Sequence, residues 1–345
     1  DGAGKKMSKS IGNVIAPANV IKQNGAEILR LWVSAEDYRD DLKISNEILK
    51  RTVEAYRKIR NTARFLLGNL SDFDPALHSV PRDRMAEIDR WALHQLGDLV
   101  EKVDRAYGRF FFHTVYHALY NFCTVELSAR YLDIIKDRLY ASLADSPERR
   151  SAQTVLFRVV RDLTRLMAPV LSFTAEEIWR SVPRGIEEGS VHLADFPAVD
   201  GSLRDEALAG RWEKLFLVRS AVSRVLEQAR REKRIGLSLD AAVTLYLNDA
   251  WRQRLEPYGK QLAEIMIVSH VDLFPEGDRP DEACPAEGVE GVWIAVGPAP
   301  GEKCGRCWNY RRSVGASADH PTICSRCAAV VAEMARSAGQ NPTHP

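Results

Sequence analysis

Residues 45–70 read SNEILKRTVEAYRKIRNTARFLLGNL, and apolar residues recur in this stretch at spacings of three and four. Such spacing places them on one face of an α-helix, which must be buried against other parts of the chain. The residues of this face are Ile48, Val53, Tyr56, Ile59, Ala63, Leu66 and Leu70. Ser45 is a suitable N-cap, and Glu47 complements the positive end of the helix dipole. The stretch therefore predicts a long amphipathic helix that begins after Ser45.

Helical patterns with short connections continue after this stretch. Three more long helices are expected, over about residues 88–107, 112–139 and 151–167. Pro169 ends the last of them. A short helix should follow, with Thr174 as its N-cap and Glu177 completing a capping box. Long helices with short connections predict an antiparallel bundle over residues 45–183.

Basic residues share another face of the first helix. They are Arg57, Arg60 and Arg64, with Lys50 one heptad before Arg57. Arginine forks fit phosphates, so this face is a candidate for contact with nucleic acid. A solvated face beside the core explains the spacing equally well.

A basic loop precedes the helices. Residues 6–10 read KMSKS and lie among Gly2, Gly4 and Gly12. Glycines allow such a loop to move and bring its backbone close to a ligand. The ammonium groups of Lys6 and Lys9 are spaced to close on an anion such as a triphosphate. A solvated basic loop would have the same composition.

The sequence around this loop resembles the signature loop of class I aminoacyl-tRNA synthetases. The resemblance rests on DGAGKKMSKSIGN at residues 1–13 and on GAEILRLW at residues 25–32, which looks like the next helix of that family. It implies that the loop stabilises the transition state of amino-acid activation, in which pyrophosphate leaves ATP. Lys9 would be the principal ATP-contacting lysine, and Lys6 would assist. The residues that the resemblance assigns to catalysis and ATP binding are Lys6, Ser8, Lys9 and Ser10.

Residues 1–44 would then be the remnant of a class I catalytic domain. That family also has a His-x-Gly-His type motif, which this sequence lacks, since His113 and His117 lie on a helical pattern without the glycine. The parallel strands that a nucleotide site needs upstream of the loop are missing too. We therefore expect the chain to be the carboxy-terminal piece of a longer enzyme that uses ATP and Mg²⁺, and to form no adenylate alone.

The predicted bundle carries a second resemblance. MAPVLSFTAEEIW at residues 167–179 is similar to the anticodon-binding bundle shared by the isoleucyl, valyl, leucyl and methionyl enzymes. The resemblance implies that this bundle contacts the anticodon and anticodon stem of a tRNA.

Residues 184–300 predict a long helix and a small α+β junction domain. The helix is expected over about residues 205–233. Near its end lie four basic residues, Arg230, Arg231, Lys233 and Arg234. Cations at this end favour the helix dipole, and RNA contact is an equal alternative. The remaining patterns are strands at residues 242–247 and 292–296 and a helix at about residues 258–268.

Four of the six cysteines form two Cys-x-x-Cys pairs separated by 16 residues; they are Cys304, Cys307, Cys324 and Cys327. Each pair can form a knuckle with two thiolates, and four thiolates suit tetrahedral Zn²⁺. A full protein shell leaves no open position for catalysis, so this zinc would be structural. A redox role is the weaker interpretation, and His320 is an alternative ligand. Cys123 is expected to be a small buried residue, and Cys284 a free thiol.

Basic and aromatic residues surround these cysteines. They are Arg306, Trp308, Tyr310, Arg311, Arg312 and Arg326. Such a surface suits stacking on unpaired bases. For Trp308 we favour the other interpretation, that it forms the small core of the zinc domain.

CGRCW at residues 304–308 and ICSRC at residues 323–327 resemble the carboxy-terminal zinc domain of bacterial-type isoleucyl-tRNA synthetases. This resemblance implies ATP-dependent attachment of isoleucine to its tRNA through an isoleucyl-adenylate, by a monomer. It places a four-cysteine zinc ribbon at residues 301–334 and leaves a tail at residues 335–345, which we expect to be disordered. The alternatives are a valyl, leucyl or methionyl ligase fragment and a stand-alone tRNA-binding module.

Composition sets the remaining limits. The chain has 345 residues, of which 45% are hydrophobic, which suffices for two or three domains. Its net charge of +1 gives no global field, so RNA binding must come from local basic faces. We find no apolar run of membrane-spanning length and no visible signal peptide. With the metal-type cysteine pattern, this favours a cytoplasmic protein without a membrane partner.

Overall fold

The structure is a computed structural model and describes residues 1–183 and 188–340. The chain divides into two compact units. Unit 1 comprises residues 1–131 and 150–205, and unit 2 comprises residues 132–149 and the residues from 206 onward. The domain boundaries expected at residues 44, 183, 300 and 334 were placed by sequence pattern, and they stay a prediction.

Helices dominate the described residues, so the mainly helical fold class is confirmed. In chain order the helices are α1 (Pro17–Asn24), α2 (Ala26–Ala35), α3 (Asn46–Gly68), α4 (Pro75–His78), α5 (Glu87–Gly108), α6 (Phe112–Asn121), α7 (Asp133–Ala141), α8 (Pro147–Met167), α9 (Ser172–Ser181), α10 (Glu206–Arg231), α11 (Asp249–Leu255), α12 (Gln261–Met266) and α13 (Ser325–Gln340). The strands are β1 (Ala241–Leu247), β2 (His270–Pro275), β3 (Cys284–Pro285), β4 (Val292–Pro298), β5 (Glu302–Lys303) and β6 (Tyr310–Arg311).

Helix α3 is the amphipathic helix expected from residues 45–70. The Ser45 hydroxyl accepts a hydrogen bond from the N–H of Ile48 at 3.1 Å, as an N-cap should. The second half of the predicted apolar face is buried, from Ile59 to Leu70, and Leu66 is fully shielded from solvent. Ile48, Val53 and Tyr56 are only partly buried, and in the first half of α3 the buried residues are Leu49, Thr52 and Ala55. Helix α3 packs this face against α2, α6 and α9, and such packing of an amphipathic face supplies most of a helix's stability in a folded protein.

Large apolar side chains fill the centre of the helical bundle in unit 1. Those exposed by 2% or less include Ile59, Leu66, Trp91, Leu96, Val115, Leu156 and Val160. Cys123 is also fully buried, as predicted, and burial raises the pKa of its thiol to about 12. A thiol in this state is inert, so Cys123 is a packing residue.

The helix expected over residues 112–139 changes its winding in the middle. Helix α6 continues into a π-helical stretch, Phe122–Leu132, and then into α7. In this stretch the carbonyl of Cys123 accepts from the hydroxyls of Ser128, at 2.7 Å, and Thr62, at 3.3 Å. Apolar periodicity predicted one regular helix, because it does not register hydroxyl groups that bond to a backbone carbonyl.

Helix α9 begins differently from the prediction. It starts at Ser172, so Thr174 lies inside its first turn and the capping box expected with Glu177 is wrong. The cap comes from Glu27 in α2. Its Oε1 accepts the backbone N–H groups of Phe173, at 2.8 Å, and Thr174, at 3.1 Å, and its Oε2 accepts the Thr174 hydroxyl. A carboxylate here satisfies free N–H groups and complements the helix dipole.

Helix α3 is tied to the same end of α9. The Tyr56 hydroxyl lies 2.9 Å from the Thr174 hydroxyl. Glu177, the expected cap partner, instead accepts a two-pronged ion pair from Arg60, with N···O distances of 2.6 and 2.8 Å. Residues from α2, α3 and α9 therefore converge around Glu27.

Unit 2 contains a small sheet with the strand order β2-β1-β4-β3. Strand β1 pairs with β2 in parallel and with β4 in antiparallel register. The expected strands at residues 242–247 and 292–296 are confirmed as β1 and β4. Strand β2 was missed although residues 270–273 alternate between polar and apolar, because the strand is short and half exposed.

The helical elements of unit 2 depart from the prediction at their ends. The expected helix over residues 258–268 shortens to α12, because Ile267 adopts a left-handed conformation with φ 56°. Helix α13 reaches Gln340, so residues 335–340 of the expected disordered tail are helical. The rest of that tail, residues 341–345, lies outside the described residues, as does the 184–187 part of the expected junction segment.

In the described ranges, 1–183 and 188–340, we find no helix that combines the length and apolar character needed to cross a membrane.

Replacement of Glu27 by Ala should lower the free energy of unfolding by about 1–2 kcal/mol, because N-cap groups contribute about that much. Glu36→Ala, at the other end of α2, is the matched control and should change it by less than about 0.5 kcal/mol. Urea unfolding followed by circular dichroism measures both. Equal effects of the two substitutions would show that the Glu27 cap is not stabilising.

Candidate functional site

Asn13 holds the loop of residues 6–10 in its observed shape. Its Oδ1 accepts the N–H of Ser8 at 2.9 Å. Its Nδ2 donates to the Asp1 carboxylate at 2.9 Å and to the Lys6 carbonyl at 3.3 Å. Sequence reasoning assigned no role to Asn13. The available signal was a carboxamide just after Gly12, because asparagine often bonds to nearby backbone in turns.

Gly12 closes the turn that follows the two lysines. Its N–H lies 3.2 Å from the carbonyls of both Ser8 and Lys9, and its φ is +73°. A side chain is strained in that left-handed conformation, which favours glycine. The Ser8 and Ser10 hydroxyls lie 3.1 Å apart on this turn. The structure therefore brings both predicted serines together.

The ammonium groups of Lys6 and Lys9 are exposed. Within residues 1–183 and 188–340, neither group has a hydrogen-bond or ion-pair partner. The nearby Asp1 carboxylate is occupied by the loop backbone, since its Oδ1 accepts the N–H groups of Ala3 and Lys5 at 3.0 and 2.9 Å. Both cations are thus available to an anionic ligand.

A groove begins where this loop ends. Its volume is about 480 Å³, and half of its lining is apolar, from Val14, Ile15, Ala16, Val20 and Leu49. The polar residues that line it are Asn19, Gln23, Asn24, Asn46 and Lys50. Carboxamides donate and accept hydrogen bonds, and the exposed Lys50 adds a positive charge. No sequence motif indicated this groove, because α1 and the start of α3 form it only after folding.

Ion pairs occupy part of the predicted basic stripe on α3. Arg57 pairs with Glu54 at 2.7 Å, and Arg60 pairs with Glu177 as described. Lys50 and Arg64 are exposed, and no acidic partner of either lies in the described ranges. Exposed pairs of this kind are weak, so the stripe keeps a local excess of positive charge.

Nearby residues bind two arginines of the basic cluster at the end of α10. Arg230 pairs with Glu227 and donates to the carbonyl of Gly236 at 3.1 Å. Arg234 pairs with Glu232 at 2.8 Å and donates to the carbonyl of Val296 at 2.8 Å. These contacts favour the structural alternative for both arginines.

The four predicted metal ligands meet at one point. The sulfur atoms of Cys304, Cys307, Cys324 and Cys327 all lie within 4.8 Å of one another. The sulfurs of Cys307 and Cys324 are 3.9 Å apart. Zn–S bonds of about 2.3 Å in a tetrahedron give sulfur separations of about 3.8 Å, so the cluster fits zinc. His320 is not part of this group.

Within the cluster, the pKa values of Cys304 and Cys327 move in opposite directions. Burial disfavours the Cys304 thiolate, but backbone N–H groups of Cys307, Cys324 and Arg306 donate to it and lower its pKa to about 6. Burial, together with the negative charge of Cys307, raises the pKa of Cys327 to about 12. Four adjacent thiols cannot all ionise alone, and a divalent metal ion removes that repulsion.

Trp308 does not form the core of the zinc domain, so that prediction is wrong. Its side chain is 62% exposed, and its φ of 62° lies in the left-handed region. This turn follows directly from the knuckle, where the Trp308 N–H donates to the Cys304 carbonyl at 2.9 Å. The interior is filled by the cysteines with Val314 and Ile323. Stacking of Trp308 on a base stays a prediction.

Ser269 anchors the four-cysteine segment to the sheet of unit 2. Its hydroxyl accepts the Tyr310 N–H at 2.7 Å, and its carbonyl accepts from Arg311 at 3.0 Å. Gly301 permits the close approach of β5 and β6, because a Cβ at this position would lie 2.4 Å from the Arg311 carbonyl carbon.

Several curated proteins are similar in sequence to this chain. The chain is 58% identical over 331 residues to an isoleucine–tRNA ligase of Geobacter sulfurreducens, covering 96% of this chain and 35% of that protein. It is 55% identical to the isoleucine–tRNA ligase of Syntrophotalea carbinolica, over 96% of this chain and 36% of that protein. The chain is similar to isoleucine–tRNA ligases over nearly its whole length. It spans about a third of the length of these relatives, at their carboxy-terminal side.

Three family models match successive parts of the chain. Residues 1–45 match tRNA synthetases class I (I, L, M and V). Residues 89–245 match an anticodon-binding domain of tRNA ligase. Residues 301–330 match a zinc finger found in FPG and IleRS. The zinc-finger match and the four-sulfur cluster together support a structural zinc ion.

A solved structure also shows similarity. It is the ternary complex of LeuRS, tRNA and LeuAMS from Agrobacterium radiobacter K84, with a TM-score of 0.44 and 22% identity. The match covers 59% of this chain and 24% of that one.

Elemental analysis of the purified chain should find about one zinc ion per molecule. Cys304→Ser and Cys327→Ser should each lose it and unfold the segment at lower temperature, because structural zinc supplies about 10 kcal/mol or more in small zinc domains. Cys284→Ser is the control and should keep both zinc and melting temperature, since Cys284 lies outside the cluster. Full zinc content in Cys304→Ser would contradict the assignment.

Proposed function

We propose that this chain supplies the ATP-contacting loop, the tRNA-binding helices and the zinc centre of an isoleucine–tRNA ligase. The whole enzyme would attach isoleucine to its tRNA through an isoleucyl-adenylate, with ATP and Mg²⁺. The observation that carries the proposal is the pair of exposed ammonium groups, Lys6 and Lys9, on a loop whose backbone Asn13 holds.

The proposed chemistry gives each loop residue a role. In activation, a carboxylate oxygen of isoleucine bonds to the α-phosphorus of ATP, and the bond from that phosphorus to pyrophosphate breaks. Negative charge then grows on the departing pyrophosphate. Lys9 would neutralise most of this charge and Lys6 the remainder, while Ser8 and Ser10 would donate hydrogen bonds to phosphate oxygens. A Mg²⁺ ion would share the phosphate charge when bound.

Local basic groups support binding of isoleucine tRNA by this chain. The unpaired Lys50 and Arg64 on α3 suit backbone phosphates, and the groove lined by carboxamides suits sugar and base edges. The exposed Trp308 suits stacking on an unpaired base. The family model for residues 89–245 supports an anticodon-binding role for the helices between these features.

The zinc-finger match and the isoleucine–tRNA ligase relatives favour isoleucine over the valyl, leucyl and methionyl alternatives. The free lysines of the loop favour a ligase over a stand-alone tRNA-binding module, because a module that only binds tRNA does not need a loop that contacts ATP.

A chimera provides the test of the loop. This chain replaces the matching carboxy-terminal part of the Geobacter sulfurreducens enzyme, and pyrophosphate exchange with ATP and isoleucine is measured. We expect Lys9→Gln to lower kcat by about 100-fold or more, as loss of one preorganised transition-state contact does. Lys6→Gln should have a smaller effect.

Lys5→Gln is the matched control, since it removes a neighbouring exposed lysine outside the KMSKS residues. It should leave kcat within about twofold. The affinity of the Lys9→Gln chimera for tRNA should also be unchanged. Equal activity of the Lys9→Gln and Lys5→Gln chimeras would refute the role of Lys9.

A further inference from the structure

Each cysteine pair carries an arginine directly before its second cysteine. Arg306 precedes Cys307, and Arg326 precedes Cys327. Sequence analysis grouped these arginines with a possible RNA surface. In the structure, however, both side chains point to one helix of the same unit, α7.

Arg326 binds α7 through an ion pair with the carboxylate of Asp137. Its Nη1 and Nη2 donate to the two oxygens of Asp137 at 2.5 and 2.8 Å. This is the two-pronged geometry in which arginine binds carboxylates most specifically.

Arg306 contacts the same helix one turn later. Its Nη1 donates to the backbone carbonyl of Ala141, the last residue of α7. Carbonyls in the last turn of a helix lack partners within the helix, and a cation there is favourable for the dipole. Asp137 and Ala141 are four residues apart and so lie on the same side of α7. Both knuckles therefore hold one face of one helix.

The same guanidinium groups lie beside the sulfur atoms. The Arg306 Nη1 is 3.9 Å from the Cys327 sulfur, which belongs to the opposite pair. Zinc held by four thiolates carries a net charge of −2, because Zn²⁺ cancels only two of the four negative charges. Two arginines at the centre can offset that charge, and donors close to thiolate sulfur stabilise it.

We propose that Arg306 and Arg326 are positioning residues of the metal centre, which offset the charge of the zinc-bound thiolates and fasten both knuckles to α7. The proposal rests on the structural zinc described above. Metal retention and order at the end of α7 then depend on each other, because loss of the ion frees the knuckles that hold the helix.

The first part of the proposal is that the two arginines help to retain zinc. It is tested by the rate at which the full 345-residue chain releases zinc to the chromogenic chelator 4-(2-pyridylazo)resorcinol. Arg306→Gln and Arg326→Gln should each release zinc about tenfold faster than the unmodified chain, in line with the loss of other outer-shell ligands. Arg326→Lys keeps the charge but not the fork, and should release zinc at an intermediate rate. Arg312→Gln is the control, since Arg312 is exposed and has no partner within residues 1–183 and 188–340. It should match the unmodified chain.

Hydrogen exchange measured by mass spectrometry tests the link to α7. Removal of zinc by a chelator should speed exchange of the amides in the last turn of α7, and Asp137→Asn should do so with zinc still bound. The absorption of the cobalt-loaded variants reports whether the four-sulfur geometry is kept. Asp137→Asn leaves both knuckle arginines in place. It therefore still tests the link to α7 if a glutamine variant fails to fold.

Two results would overturn the proposal. One is zinc release from both glutamine variants at the rate of Arg312→Gln. The other is unchanged exchange in α7 after zinc removal. A chain purified with no zinc at all would instead refute the zinc assignment itself, so the two failures are distinguishable.

Discussion

The carboxylate of Glu27 is the contact on which the helical unit depends most. It closes the start of α9, whose first N–H groups lie 146 residues further along the chain. With the Tyr56 hydroxyl at the same point, it joins α2, α3 and α9. The first N–H groups of a helix have no partner within the helix, and here a distant anion accepts two of them.

The two candidate sites are built in opposite ways. In the loop, the backbone is held by Asn13 while the charged groups of Lys6 and Lys9 are left exposed. In the four-cysteine centre, every sulfur faces its neighbours. A centre with four protein ligands has no position for a substrate, whereas a loop with free cations is suited to one. This difference supports a catalytic role for the loop and a structural role for the metal centre.

Local sequence patterns were sufficient to predict part of the structure. The N-cap at Ser45, strands β1 and β4 and the grouping of four cysteines all depend on neighbouring residues or fixed spacing. One error arose where a distant residue decides the outcome, and another where the local backbone geometry does. Thr174 is a good local cap, but Glu27 replaces it. Trp308 is a good core residue by type, but the left-handed turn after the knuckle exposes it.

Features that no local pattern encodes were missed altogether. The carboxamide groove and the contacts of Arg306 and Arg326 with α7 each require residues that folding brings together. Asn13 and strand β2 were missed although local signals were present, namely a carboxamide after Gly12 and the alternation of polar and apolar residues over 270–273.

Binding to tRNA tests the central claim most directly. The affinity of this chain should be measured for isoleucine tRNA and for the same tRNA with an altered anticodon, each at two salt concentrations. Higher salt weakens the phosphate contacts of both tRNAs alike. Base contacts instead give the two tRNAs different affinities at either salt concentration. The account predicts tighter binding of the unaltered tRNA, by about tenfold or more, since one lost base contact costs about 1–3 kcal/mol. Equal binding of the two tRNAs at both salts would contradict it.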